Sequence, residues 1–179
     1  MRQGLFFPII VLTVFCTPAL AYDWSTNLGD GSDTNPYQIS TAEQMNAIGA
    51  DTALWDKYFK LMNDIDMSAL GTTPYNVIGN NSNHFTGVFD GDGHVISNLT
   101  INLPETLGVG LFGLVGHNGH VRNLGLKNAD VTGMQYVGCL VGMIYQGTIT
   151  QCCVKESGVS GFQYIGGLAG YSDGSSVAY

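Results

Sequence analysis

Two aspartates flanked by glycines are the residues of this chain that most suggest chemistry. Asp90-Gly91-Asp92-Gly93 could wrap calcium, since that ion prefers oxygen ligands and glycines let a loop close around it. The rest of a calcium loop, DxDxDG…E, is missing, and Asp-Gly pairs form tight turns by themselves. A structural turn is the expectation for Asp90 and Asp92, with calcium as the open alternative. His117 and His120, three apart, could hold a metal, but there is no HExxH and no glutamate nearby, so a solvated turn is expected. Gly170-Tyr171-Ser172-Asp173-Gly174 matches the GxSxG nucleophile elbow. Its serine would need a histidine to take the proton, and all four histidines precede it, against the usual order. Gly108 to Gly113 matches GxGxxG, with Asp130 placed 20 residues after Gly110. That motif binds a pyrophosphate only where its last glycine opens a helix, and the following LVGHNGHV is broken by glycines. The expectation is a chain with no catalytic, cofactor-binding or metal residue.

The elements that would position these groups follow from a repeat. From Val109 the chain reads VGLFGLVGHNGHVRNLGLKNADVTGMQY, and from Val137 VGCLVGMIYQGTITQCCVKESGVSGFQY, two units of 28 residues. Within them GLFG becomes GCLVG, a shift compensated later. A third unit starts at Ile165 and runs about half its length to Tyr179. GHVISNLTI (93–101) lines up with GHVRNLGL and GTITQCCV. That alignment predicts columns of Ile96, Val121 and Ile149, of Leu99, Leu124 and Cys152, and of Ile101, Leu126 and Val154. Asn98, Asn123 and Gln151 would form a polar ladder at one bend. Glycine every few residues argues against helix, at a cost of about 1 kcal/mol each relative to alanine. Apolar residues two or three apart, broken by turns, suit short strands that must stack to bury their faces. The fold class is all-β: a parallel β-solenoid with 28-residue coils rising about 4.8 Å each.

Residues 22–92 read as an N-terminal cap and first coil, and 93–179 as repeats of the same solenoid, incomplete at the C-terminus. Ser40-Thr41-Ala42-Glu43 fits a capping box with Ser40 as N-cap, which predicts a short helix over about Thr41–Ala50. Such a helix would cover the open end of the first coil. YFKLMNDIDM alternates like a strand, as do Phe85, Gly87 and Phe89. The half-unit after Ile165 would leave strand edges unpaired, so further repeats or another chain are expected there.

Met1-Arg2, the apolar run Leu5–Phe15 and Ala19-Leu20-Ala21 have the pattern of a cleaved signal peptide spanning 1–21. The run is shorter than the roughly 20 residues that a membrane span requires, and no span is expected in the mature chain. With 14 acidic residues and, after Arg2 is removed, five basic ones, that chain repels phosphate backbones, so nucleic acid is not expected as a partner. Cys139, Cys152 and Cys153 are too few for a disulfide framework, and Cys152 reads as a small buried apolar residue. Tyr136 and Tyr164, one period apart, are either an aromatic row offered to sugar rings or, preferred, a stack that ties two coils together.

NPYQISTAEQMNAIG, FKLMNDIDM, FTGVFDGDGHVISNLTI and the VGLFGLVG/VGCLVG units resemble secreted bacterial proteins carrying the GLUG motif. The resemblance covers nearly all of the mature chain. It implies a β-helical, adhesin-like surface protein and brings no catalytic residue with it, although some relatives carry the repeats beside a metallopeptidase domain. Cys139 stands where the family usually has glycine. The functional expectation is a non-catalytic extracellular solenoid acting in surface attachment, binding or as a structural stalk, with a carbohydrate or a cell-surface protein as partner. The alternatives are a β-helical polysaccharide-active enzyme, for which Arg122, Lys127 and Lys155 are too scattered in sequence, and the front of a larger secreted enzyme.

Overall fold

The computed structural model describes residues 22–178; the signal-peptide reading of residues 1–21 lies outside them. The described residues form a parallel β-solenoid of about four turns with one short α-helix. One complete coil runs through five strands, Val88–Asp90, Val95–Ser97, Thr100–Asn102, Leu107–Val109 and Phe112–Val115. The next uses His120–Arg122, Gly125–Lys127, Asp130–Thr132, Gln135–Gly138 and Val141–Tyr145. A third follows from Thr148 to Asp173, and Ser176–Ala178 begins another. Stacking sorts these strands into five parallel sheets. The longest is a six-stranded spine that starts with Tyr37–Ile39 and Tyr58–Leu61 and continues through Phe89, Val121, Ile149 and Val177 in register.

The strands are short because corners interrupt them. Asn98, Asn123, Asn128, Gln151 and Glu156 turn the chain with φ between 52° and 56°. Asparagine enters this left-handed region more readily than most residues because its short amide bonds locally. The 28-residue register holds at Val109, Val137 and Ile165. It lengthens by one where Phe112 meets Val141 and recovers where His120 meets Thr148, the compensated shift seen in the repeat.

One expected alignment is wrong by a corner. Ile96 stacks on Ile65 and Leu126, and Leu126 in turn on Val154, while Val121 and Ile149 belong to the spine. Ile101 pairs with Val131, and the single predicted ladder becomes two: Asn123 with Gln151, and Asn98 with Asn128. The cause is loop length. Four residues, 91–94, link the first two strands of the first complete coil, where the next coil uses only Asn123 and Leu124. The insertion brings a second Gly-His-Val next to the wrong corner.

At the N-terminal end the helix is Ala42–Ala50 and its cap is Thr41, one residue later than expected. Gln44 completes the box, its Oε1 accepting from the backbone of Ser40 (2.7 Å) and Thr41 (3.2 Å). Ala42, Met45 and Ile48 face inward at helical spacing and join one continuous core. Gly49 lies so close to the Asn76 carbonyl that a β-carbon would overlap it, which accounts for a glycine inside this helix. Behind the cap, Phe59, Phe85, Phe89 and Phe112 are fully buried, with neighbouring ring centroids 5.1 to 6.3 Å apart. Side chains fill the solenoid; it is not a channel.

Candidate functional site

The aspartate pair sits at the C-terminal end of the third spine strand, Val88–Asp90, and in the turn after it, and the spine's register decides its chemistry. Asp90 lies beside Arg122 across the strand pair. Its Oδ2 accepts from Arg122 Nε at 2.9 Å, and its Oδ1 accepts from Asn123 Nδ2 and from the Asp92 backbone N–H, each at 2.9 Å. Burial pushes the Asp90 carboxyl up, but the bonds from Asn123, Asp92 and Arg122 outweigh this and hold it below the usual carboxylate range. Asp92 turns away to Lys60, 3.1 Å from its Oδ2. The two carboxylates are thus engaged by different cations and do not converge on a common point. They clamp a corner that links three successive spine strands.

Arg122 is close to Asp90 in space although 32 residues separate them, a pairing missed because the coil register was read one corner out. Anchoring the alignment on the triplets VFD, HVR and TIT would have revealed it. His120, in the same strand as Arg122, places Nε2 2.8 Å from Thr150 Oγ1. Burial first, then Arg122, keeps its imidazole below the usual range, against the pull of Asp90. His117 is an exposed turn residue apart from it. Among the described residues no three His, Cys, Asp or Glu side chains come together as metal ligands.

The other motifs dissolve into strands. Gly108 and Gly113 belong to successive strands, Leu107–Val109 and Phe112–Val115, so no helix follows the GxGxxG segment. Ser172 lies inside the strand Ala169–Asp173, in register with Ile144, not on a strand-to-helix elbow. Cys139 and Cys152 are buried free thiols; burial pushes Cys152 up to about 11 and raises Cys139. Cys153 is free and exposed. A groove of about 610 Å³ beside the cap helix is lined by Tyr22, Trp24, Glu43, Asp51 and Leu70 among others, and among the described residues no cationic side chain lines it.

The most unusual geometry belongs to the repeated tyrosines. Tyr136 and Tyr164 occupy one column and both have φ of 56°, where an aromatic residue is rarely found. Gly108 is the third member of that column, with φ of 70°. The left-handed backbone costs a side-chain-bearing residue roughly 1–2 kcal/mol, and glycine avoids the cost. Stacking offsets it in part: the Tyr136 and Tyr164 rings lie 5.0 Å apart and 7° from parallel, a contact worth about 0.5–1.5 kcal/mol. Tyr171 packs edge-on against both, at 5.5 and 5.6 Å. The cluster remains partly open to solvent, Tyr164 being 45% exposed.

No family model matches the chain. It is 38% identical over 121 residues to halomucin of Haloquadratum walsbyi, an alignment spanning 64% of this chain and 1% of halomucin. It is 37% identical over 124 residues to a protein of Evansella cellulosilytica provisionally named a Gly-rich membrane protein, spanning 65% of this chain and 14% of that one. The chain therefore covers only a small part of either relative. Among solved structures, it is similar to a Bacteroides ovatus protein provisionally named an immunoglobulin A1 protease. That match has a TM-score of 0.48 and 20% identity over 84% of this chain and 66% of the other.

Proposed function

We propose that this chain is an exported repeat module of the GLUG type that acts outside the cell in attachment or as a structural stalk, without catalysing a reaction. The observation that carries this reading is the stacking itself. Every sheet is parallel and every complete coil presents the same face to its neighbour, so the protein offers long outer surfaces along a filled core. The polar groups that could have been catalytic serve that stack, with Asp90 held by Arg122, Asn123 and the Asp92 N–H. The names of the relatives, a halomucin and a Gly-rich membrane protein, agree with a place at the cell surface. No helix among the described residues is long and apolar enough to cross a membrane.

The test uses intact producing cells. Antibodies against residues 22–178 should label them without permeabilisation, and external protease should remove the label. Mass spectrometry of the exported protein should find a chain starting at Tyr22. Acidic polysaccharides incubated with the purified protein and calcium should yield no new unsaturated products. Confinement to the cytosolic fraction would overturn the proposed location, and cleavage abolished by Asp90→Asn would overturn the proposed absence of catalysis.

A further inference from the structure

We infer that Tyr136, Tyr164 and Tyr171 form a stacking site for an uncharged saccharide, with one sugar ring seated against Tyr136 over Gly108. This rests on the attachment reading, because it names what the surface would attach to. Three independent observations support it. The first is strain: two tyrosines hold a backbone conformation that glycine takes freely, in a column whose third member is glycine. Strain kept in successive coils points to a use for the side chain.

The second is the unequal treatment of the two ring faces. One face of Tyr136 is covered by Tyr164 at 5.0 Å, and Tyr171 braces the pair from the side. On the opposite side the next residue of the column is Gly108, which has no side chain to cover the ring. That position is one coil thick, about 4.8 Å, so a ring placed there would continue the stack as a third tyrosine would. Aromatic faces take the C–H side of a sugar ring for the same reason that they take each other's edges, since the π-face is negative.

The third observation is charge. The stretches 106–116, 131–154 and 157–172, which supply nearly all of the two sheets around the cluster, contain no Asp, Glu, Lys or Arg. Gln135 and Gln163 lie in the adjoining column and provide neutral donors and acceptors. A phosphate, a uronate or a sulfated sugar would find no counter-charge there. A neutral pyranose needs none.

Isothermal titration calorimetry of the purified chain with cellohexaose, chitohexaose and mannohexaose, with hexagalacturonate as the charged comparison, tests this. At least one neutral hexasaccharide should bind, and hexagalacturonate should bind at least tenfold more weakly. Tyr136→Gly suits the local φ and should lower affinity at least tenfold. Gly108→Tyr fills the seat in a geometry its column already accepts and should lower affinity as much. A tyrosine at position 108 carries the left-handed backbone cost and sets its Cβ 3.3 Å from the Gly113 carbonyl oxygen. Circular dichroism melts of both variants therefore accompany the titrations, and a loss of affinity counts only where the melt is retained. Binding unchanged in both variants, or no neutral saccharide binding at millimolar concentration, would overturn the inference. Should the chain label intact cells and yet bind none of these sugars, this site would be refuted while the attachment reading stands.

Discussion

Replacing Asp90 separates a structural corner from a metal site. The carboxylate accepts three bonds, and the two side chains that donate do so from the next coil. Its side chain is 19% exposed and that of Arg122 is 42%, so the ion pair is screened and contributes about 0.2–1 kcal/mol. Asp90→Asn keeps an oxygen for Asn123 and for the Asp92 N–H but weakens both bonds, at a total cost of about 1 kcal/mol. Asp90→Ala removes all three and leaves the Asn123 amide part-buried without its partner, about 2–3 kcal/mol. For a chain of this length each kcal/mol lowers Tm by about 2–4 °C. The expected falls are therefore about 2–4 °C for Asn and about 4–12 °C for Ala, read by circular dichroism melts without calcium and with millimolar calcium. Calcium itself should leave Tm unchanged. A rise with calcium that disappears in Asp90→Asn would refute the corner argument, because a bound ion stabilises by mass action. Equal losses for Asn and Ala would refute the hydrogen-bond arithmetic.

Phe112→Ala, in the centre of the buried aromatic group, should cost about 3–5 kcal/mol in urea unfolding, whereas Phe162→Ala, with the ring 83% exposed, should cost under about 0.5 kcal/mol. In the chain from Tyr22 onward, a thiol reagent should modify Cys153 rapidly under native conditions and reach Cys139 and Cys152 only in denaturant. His120 has a lowered folded pKa, so the unfolded chain takes up its proton first. The stability it supplies is present above the unfolded value of about 6.5 and is lost as pH falls below it. His120→Gln should flatten the stability profile as pH falls below the unfolded value of about 6.5. It should leave intact the further acid loss due to Asp64, Asp66 and Asp90, whose carboxyls are all held low in the fold.

The architecture could be read from glycine spacing and the 28-residue period because each coil has the same problem to solve, that of burying one apolar face against its neighbour. What could not be read was set by details that the period averages out. Ser40 and Thr41 each begin a Ser/Thr-x-x-Glu/Gln pattern, and only the folded chain shows Ser40 held in the preceding corner, its carbonyl accepting from Asn63 at 3.1 Å. The two-residue insertion at 91–94 moved one predicted column by a corner and hid the Asp90–Arg122 pair. Tyr136 and Tyr164 were visible as a repeated pair, and their stack follows from a one-coil spacing. Their left-handed backbone could not be foreseen, because sequence preference argues against it.

The direction of the hydrogen bonds sets how such a chain would respond to a pull. Strand pairing joins coil to coil throughout, from Tyr37–Ile39 on Tyr58–Leu61 to Thr148–Thr150 on Ser176–Ala178. Tension applied to the two ends of the polypeptide therefore runs along these bonds instead of shearing strands past one another, and an outermost coil, whose strands can detach one at a time, opens first. Each 28-residue coil that peels away would release roughly 90–100 Å of chain, and the coil beneath would then take the load. A tether made this way lengthens in steps at nearly constant force, dissipating a sudden jerk where a sheared sheet would hold and then fail all at once.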